Sequence, residues 1–334
     1  MFLKEGSWVK RLMQAIKRRW VVWFGREQAA GAMVNKGAAL GERERHQEAI
    51  AVYEEVVRQF GGAPEAVIRE AVAGAMLNKS AALGERGLYQ EAIAVCEEVV
   101  RRFGGAPEPG IREAVARAMF NKGFALAELG LHQEAIAVFE EVVRRFGGAP
   151  EPGIREAVAR AMVSKGAVLG IMGLHQEAIA VCEEVVRRFG GAPEPGIREA
   201  VAKAMVSKGA MLGIMGLHQE AIAVCEEVVR QFGGAPEPGI REAVASAMVN
   251  KSAALSKRGL YQEEIAVYEE VVRRFGGAPE PGIREQVARA MFNKGNALYL
   301  LNRYAEARRA WEQAVEMNVP SVSERARQFL EILR

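Results

Sequence analysis

The sequence holds 334 residues, half of them hydrophobic, with 45 Lys and Arg nearly balanced by 42 acidic residues and only three Cys. That content is too apolar for a disordered chain and too poor in cysteine for a disulfide scaffold, and no stretch approaches the ~18 apolar residues of a membrane span. Every acidic residue is Glu, and neither Asp nor Thr occurs, which points to duplication of one module.

The first predicted element is an amphipathic helix in residues 1–25. Trp8, Leu12, Ile16, Trp20 and Trp23 or Phe24 share one face, with Lys10, Arg11, Lys17 and Arg18 opposite. The pattern fits a cap over the units that follow, and also a basic helix lying on an anionic membrane surface through residues 7–24. Charges interrupt each apolar run, so a signal peptide is not expected and a cytoplasmic location is. Lys4, Lys10, Arg11, Lys17, Arg18 and Arg19 against Glu5 alone hold the basic excess, and the remainder is slightly acidic. No nucleic-acid partner is expected, because such binding needs a basic face that displaces counterions along phosphates.

The main body, residues 26–320, repeats. Gly-Gly-Ala-Pro begins at Gly61, Gly104, Gly147, Gly190, Gly233 and Gly276, always 43 residues apart. An Arg-Glu pair at Arg26, Arg69, Arg112, Arg155, Arg198, Arg241 and Arg284 keeps that period and defines seven units. A fixed period of this size signals a solenoid.

In the unit around 150–190, Pro150, Pro152 and Gly153 open a segment in which Ile154, Val158, Met162, Gly166 and Leu169 recur at helical spacing. This is helix A, and Gly173 ends it as the left-handed residue. Helix B follows with Ala178, Ile179, Cys182, Val185, Val186 and Phe189 on its apolar face, and stops at Gly190-Gly191. Neither stripe can be buried alone, so hairpins must stack on one another.

The unit resembles the tetratricopeptide repeat, most clearly in its last copy. Met291, Gly295, Leu298, Tyr304, Ala307, Trp311 and Ala314 stand at the signature positions for small and large residues. The resemblance implies an all-α solenoid, a right-handed superhelix of seven hairpins with terminal capping helices, acting as a non-catalytic scaffold for protein partners. Two departures are the 43-residue period against the usual 34, and lysine (Lys36, Lys79, Lys122, Lys165, Lys208, Lys251, Lys294) in a slot that is commonly Leu. The extra length is expected to extend helix A by two turns, with the lysine stems lying on the packing surface and their charges outward.

Residue types that could carry chemistry fall on structural slots. Cys96, Cys182 and Cys225 share a slot with Tyr53, Phe139, Tyr268 and Trp311, as core residues do, and should be reduced and protected. His46, His132, His175 and His218 interchange with Tyr89, Tyr261 and Tyr304, which suits an interhelical wedge and not a metal ligand. Adjacent glutamates such as Glu183-Glu184 point about 100° apart and are expected on a solvated face. No nucleophile motif or phosphate loop occurs, so neither enzymatic activity nor a cofactor or metal is expected.

Differences among the seven copies gather on one stripe of helix A. Its first site reads Gly31, Gly74, Arg117, Arg160, Lys203, Ser246, Arg289, and its second Val34, Leu77, Phe120, Val163, Val206, Val249, Phe292. The third reads Ala38, Ala81, Phe124, Ala167, Ala210, Ala253, Asn296, and the fourth Glu42, Glu85, Glu128, Ile171, Ile214, Lys257, Leu300. Spacings of three, four and four residues align the sites on one face, which the resemblance places in a concave, peptide-binding groove. Drift on a solvated face is the alternative; it accounts poorly for an aromatic at Phe124. Beside this stripe run Asn35, Asn78, Asn121, Ser164, Ser207, Asn250 and Asn293. The row resembles the asparagine ladder of O-GlcNAc transferase and related adaptors, which would hold a peptide backbone; bonding to the neighbouring repeat is the other reading.

Residues 321–334 form the last predicted helix. Ser323 is its expected cap, and Val322, Ala326, Phe329, Leu330 and Leu333 are its stripe. The chain is read as a monomer that binds a peptide or helical segment around its third to fifth repeats. The rivals are a solenoid subunit that polymerises end to end and a membrane-tethered scaffold.

Overall fold

The structure is a computed structural model that describes residues 25–332. The segment 1–24, with its cap and membrane readings, and Leu333 lie outside the described residues. Among the described residues all regular structure is helical. A helix covering 25–41 (α1) is followed by α2 (His46–Phe60), α3 (Ala66–Glu85), α4 (Tyr89–Phe103), α5 (Pro109–Glu128), α6 (His132–Phe146), α7 (Pro152–Ile171) and α8 (His175–Phe189). Then come α9 (Pro195–Ile214), α10 (His218–Phe232), α11 (Pro238–Lys257), α12 (Tyr261–Phe275), α13 (Pro281–Leu300), α14 (Tyr304–Glu316) and α15 (Pro320–Ile332).

The helices from α3 to α13 alternate between 20-residue A helices and 15-residue B helices. Each A helix from α5 onward starts at a proline, where the missing amide costs nothing. The turn into helix B needs a left-handed residue, and Gly87, Gly130, Gly173, Gly216 and Gly259 supply it with φ of 72° to 80°. In the first and last hairpins Glu44 (φ 59°) and Asn302 (φ 60°) take the same conformation.

The chain divides into two compact units, Met1–Ala161 and Met162–Arg334. Within the first, α3 packs on α2, α4 and α5, and α5 also packs on α4 and α6. Within the second, α9 packs on α8, α10 and α11, and α11 on α10, α12 and α13. An A helix is therefore enclosed by its own B helix, the preceding B helix and the neighbouring A helices. This explains why A helices are apolar around most of their circumference and rich in alanine, such as the fully buried Ala116, Ala118, Ala202 and Ala204. B helices bury a single stripe, for example Ala92, Cys96, Val99 and Phe103 in α4.

Polar side chains fix how the hairpins stack. At the A-helix starts, Arg69 pairs with Glu108 and Arg112 with Glu151 in the first unit, as Arg198 with Glu237 and Arg241 with Glu280 in the second. The repeated lysine links helix A to the preceding helix B: Lys79 Nζ to Glu54 at 2.7 Å, Lys122 to Glu97 at 2.6 Å, Lys208 to Glu183 at 2.7 Å. The lysine charges thus meet partners in the neighbouring repeat, and Glu183 and Glu184 are both engaged, Glu184 by Arg187. Both glutamate side chains stay on the expected solvated face, 55% and 39% exposed. A further contact joins Arg102 to the Gly61 carbonyl at 2.5 Å and Arg274 to that of Gly233 at 2.6 Å.

The last helix closes the series. Val322 and Ala326 are buried against α13 and α14, with Phe329 and Leu330 packed beside them. It begins at Pro320, so Ser323 is not its amino-terminal cap. Its buried hydroxyl instead donates to the Ala314 and Val315 carbonyls at 3.4 and 3.3 Å, where α14 ends. Val315 O also accepts from Asn318 N at 3.1 Å, so the serine adds to the hydrogen bonds that close the end of α14.

Candidate functional site

The variable stripe on the A helices divides by depth. In the first unit its first site is exposed at Arg117 and Arg160, its third at Phe124 and its fourth at Glu128, while the second is buried at Leu77 and Phe120. In the second unit Lys203, Arg289, Ile214, Lys257 and Leu300 are exposed, and Ile171 is 71% exposed at the end of α7. Val163 and Val206 are half-buried there, and Val249 and Phe292 fully buried.

Phe120 and Phe292 therefore correct the expectation that the second site lines an open groove. Phe120 is 7% exposed; its ring packs 6.1 Å from Phe139, and the Arg160 guanidinium lies 4.6 Å above it. Phe292 sits edge-on to Phe329 of α15 at 5.3 Å, with Arg325 stacked 4.8 Å from its centre. A side chain at this site points between adjacent A helices, and the arginine covering it gains a cation–π contact. The third and fourth sites point away from that seam, so Phe124 remains 46% exposed.

Three members of the asparagine row, Asn78, Asn121 and Asn293, are engaged by the protein itself. Asn121 donates to Ser80 Oγ at 3.1 Å, across two A helices. Asn78 bonds Tyr53, and Asn293 donates to the Tyr268 hydroxyl, each on the preceding B helix. Asn296 accepts from Trp311 Nε1 at 3.1 Å. Asn78, Asn121 and Asn293 follow the inter-repeat reading of the ladder, whereas Asn296, of the third site, bonds within its own hairpin; Asn250 is half-buried. The basic residues of the stripe pair along their own helices: Arg117 with Glu113 at 3.6 Å, Arg160 with Glu156 at 3.9 Å, and Lys203 with Glu199 at 2.6 Å. Arg289 bonds Gln286 at 3.3 Å, and Glu128 accepts from the Tyr89 hydroxyl at 3.4 Å.

The remaining candidates behave as packing residues. All three cysteines are free and buried, and burial pushes the thiols up to about 11 at Cys96 and Cys182 and about 12 at Cys225. Gly123, Gly166, Gly209 and Gly295 lie directly against Phe139, Cys182, Cys225 and Trp311, which leaves room for each occupant of that slot. The histidines are the first residues of their B helices and half-buried, with the Nδ1 atoms of His132, His175 and His218 turned inward without a partner. Among the described residues no group of three or more His, Cys, Asp or Glu is placed to hold a metal, and no helix is long and apolar enough to cross a membrane. The sequence reading missed one residue altogether: Glu264, a buried carboxylate in α12. Its signal was legible, because the six equivalent positions are all alanine.

A family model described as tetratricopeptide repeat matches residues 9–64 and 82–150, and a second with that description matches 288–318. No curated protein matches the chain. Among solved structures, the chain is similar to a tetratricopeptide repeat protein from Parabacteroides merdae (12% identity, 91% of this chain and 98% of that one, TM-score 0.55). It is also similar to the apo form of the quorum sensor NprR from B. thuringiensis (14% identity, 92% of this chain and 82% of that one, TM-score 0.58). Both likenesses are of fold. Taken with the serial helical hairpins and the small residues facing each B-helix core slot, these matches identify the chain as a tetratricopeptide repeat protein.

Proposed function

We propose that this protein is a non-catalytic interaction scaffold whose A-helix faces bind an extended or helical segment of a partner protein. The observation that carries the reading is the set of large apolar side chains left in solvent at the third and fourth sites of the stripe. Phe124 marks the first unit, and Ile171, Ile214 and Leu300 (71%, 63% and 57% exposed) mark the second. Single exposed apolar residues need no explanation, whereas several at equivalent repeat positions do. They share a helix face with cations of the first site, Arg117 and Arg160 in one unit and Lys203 and Arg289 in the other, which stand about two to three turns earlier. Such a face suits a segment with large hydrophobic anchors beside acidic residues.

The test is a peptide selected by display on the wild-type protein, its affinity then measured on variants. Phe124→Glu, and separately Ile171→Glu with Ile214→Glu, are expected to shift the melting temperature little and to weaken binding tenfold or more, about 1.4 kcal/mol. Unfolding of these variants, or undiminished binding by both, would show that the face has been misassigned.

A further inference from the structure

Six of the seven hairpins place an alanine in the first turn of helix B: Ala49, Ala92, Ala135, Ala178, Ala221 and Ala307, each 0 to 2% exposed. The sixth places Glu264 there, at 3% exposure. The substitution is accompanied by a second one. The position of Ser256, near the end of α11, is Gly41, Gly84, Ala127, Gly170 and Gly213 in the earlier hairpins, and Ser256 hydrogen-bonds the Glu264 carboxyl. Tyr268, one turn further along α12 and fully buried, donates to the same carboxyl and accepts from Asn293 of α13. Polar side chains of α11, α12 and α13 thus gather around one buried carboxyl. Its balance is incomplete, since Glu264 Oε2 has no hydrogen-bond partner.

A buried carboxyl with two donors and one orphaned oxygen is tolerable when neutral and costly when charged. No cation offsets that cost at the carboxyl: α11 faces it with Ser256, and α13 reaches the cluster through Asn293 and Arg289, both acting on Tyr268. On α12 itself the adjacent Glu263 is exposed and of like sign.

We infer that Glu264 makes the α11–α12 hairpin a proton-dependent weak point: closed while the carboxyl is neutral, and prone to open locally when it ionises. Burial raises this carboxyl above the ordinary carboxylate value, with the Ser256 and Tyr268 hydrogen bonds opposing. The native state then holds the proton over a range where the unfolded chain has lost it. Stability is greatest below the ordinary carboxylate value and falls as pH rises through the raised one. Because Tyr268 also holds Asn293, opening would free an amide on α13.

Hydrogen exchange on the full chain tests this at about pH 5 and about pH 8, corrected for intrinsic exchange. Protection of the first turns of α12 should drop about tenfold more than that of the equivalent turns of α10 as pH rises. Glu264→Ala restores the residue of the other six hairpins and should remove the difference; Glu264→Gln keeps the shape without the charge and should do the same. Equal pH dependence of α10 and α12 in the wild type, or a drop that persists in both variants, would overturn the inference.

Discussion

At the scale of single residues, the slot facing each B-helix core position is a volume lock. In α13 a Cβ on Gly295 would fall on the indole ring of Trp311, whose Nε1 donates to Phe292 O and Asn296 Oδ1, both at 3.1 Å. In α7 a Cβ on Gly166 would meet Cys182 Sγ at 3.4 Å, an ordinary contact. Gly295→Ala should therefore destabilise by about 1–3 kcal/mol through overpacking. Gly166→Ala should be neutral or stabilise by up to about 1 kcal/mol, because alanine is the better helix former. Denaturant midpoints decide it, and a similar loss in both variants would contradict the lock. The core slot itself was legible in the sequence, since one position shared by Cys, Tyr, Phe and Trp had to be interior. The stripe was only half legible. Spacing placed Phe120 and Phe124 on one side of α5, but a helical repeat cannot tell which of two residues four apart points into the seam between A helices. Asn121 was illegible for a related reason: an amide facing a neighbouring repeat and one facing a ligand have the same spacing.

At the scale of elements, the helices were readable because each boundary has its own chemistry, proline at the A-helix start and a left-handed residue before helix B. That reading missed the start of α15 by one residue at Pro320, so Ser323 fell in the first turn and took its hydrogen bonds from the preceding helix. The first and last hairpins meet the turn rule without glycine, through Glu44 and Asn302. Glu44 holds φ 59° where the five central hairpins have glycine, at a cost of roughly 1–2 kcal/mol for a side chain in that region. Glu44→Gly should stabilise the fold by about 1 kcal/mol and so raise the denaturation midpoint, the strain relieved outweighing the entropy that glycine adds to the unfolded chain. A decrease would mean that Glu44 makes a stabilising contact exceeding its strain.

At the scale of the whole molecule, stability in a repeat array is a sum of hairpin terms and nearest-neighbour interfaces. The ends then matter most, because each has one neighbour fewer. The α15 stripe buries Val322 and Ala326 at one end. The amphipathic reading of residues 1–24 assigns an equivalent role at the other. If it caps the first repeat, deleting 1–24 lowers the melting temperature or causes aggregation. Unchanged stability together with loss of liposome binding would instead favour the membrane reading.

The Arg–Glu ladder at the A-helix starts bears on how such a chain could change length. Within each compact unit a repeat gives a guanidinium forward and the next receives it at its own glutamate, so excising or duplicating one such internal 43-residue unit leaves each of these charges with a partner of the same kind. At Arg284 the pattern ends, and the guanidinium turns to the Met317 carbonyl at 3.0 Å. Copy number is thus a quantity that the internal interfaces do not count, and it can drift by whole units at little electrostatic cost.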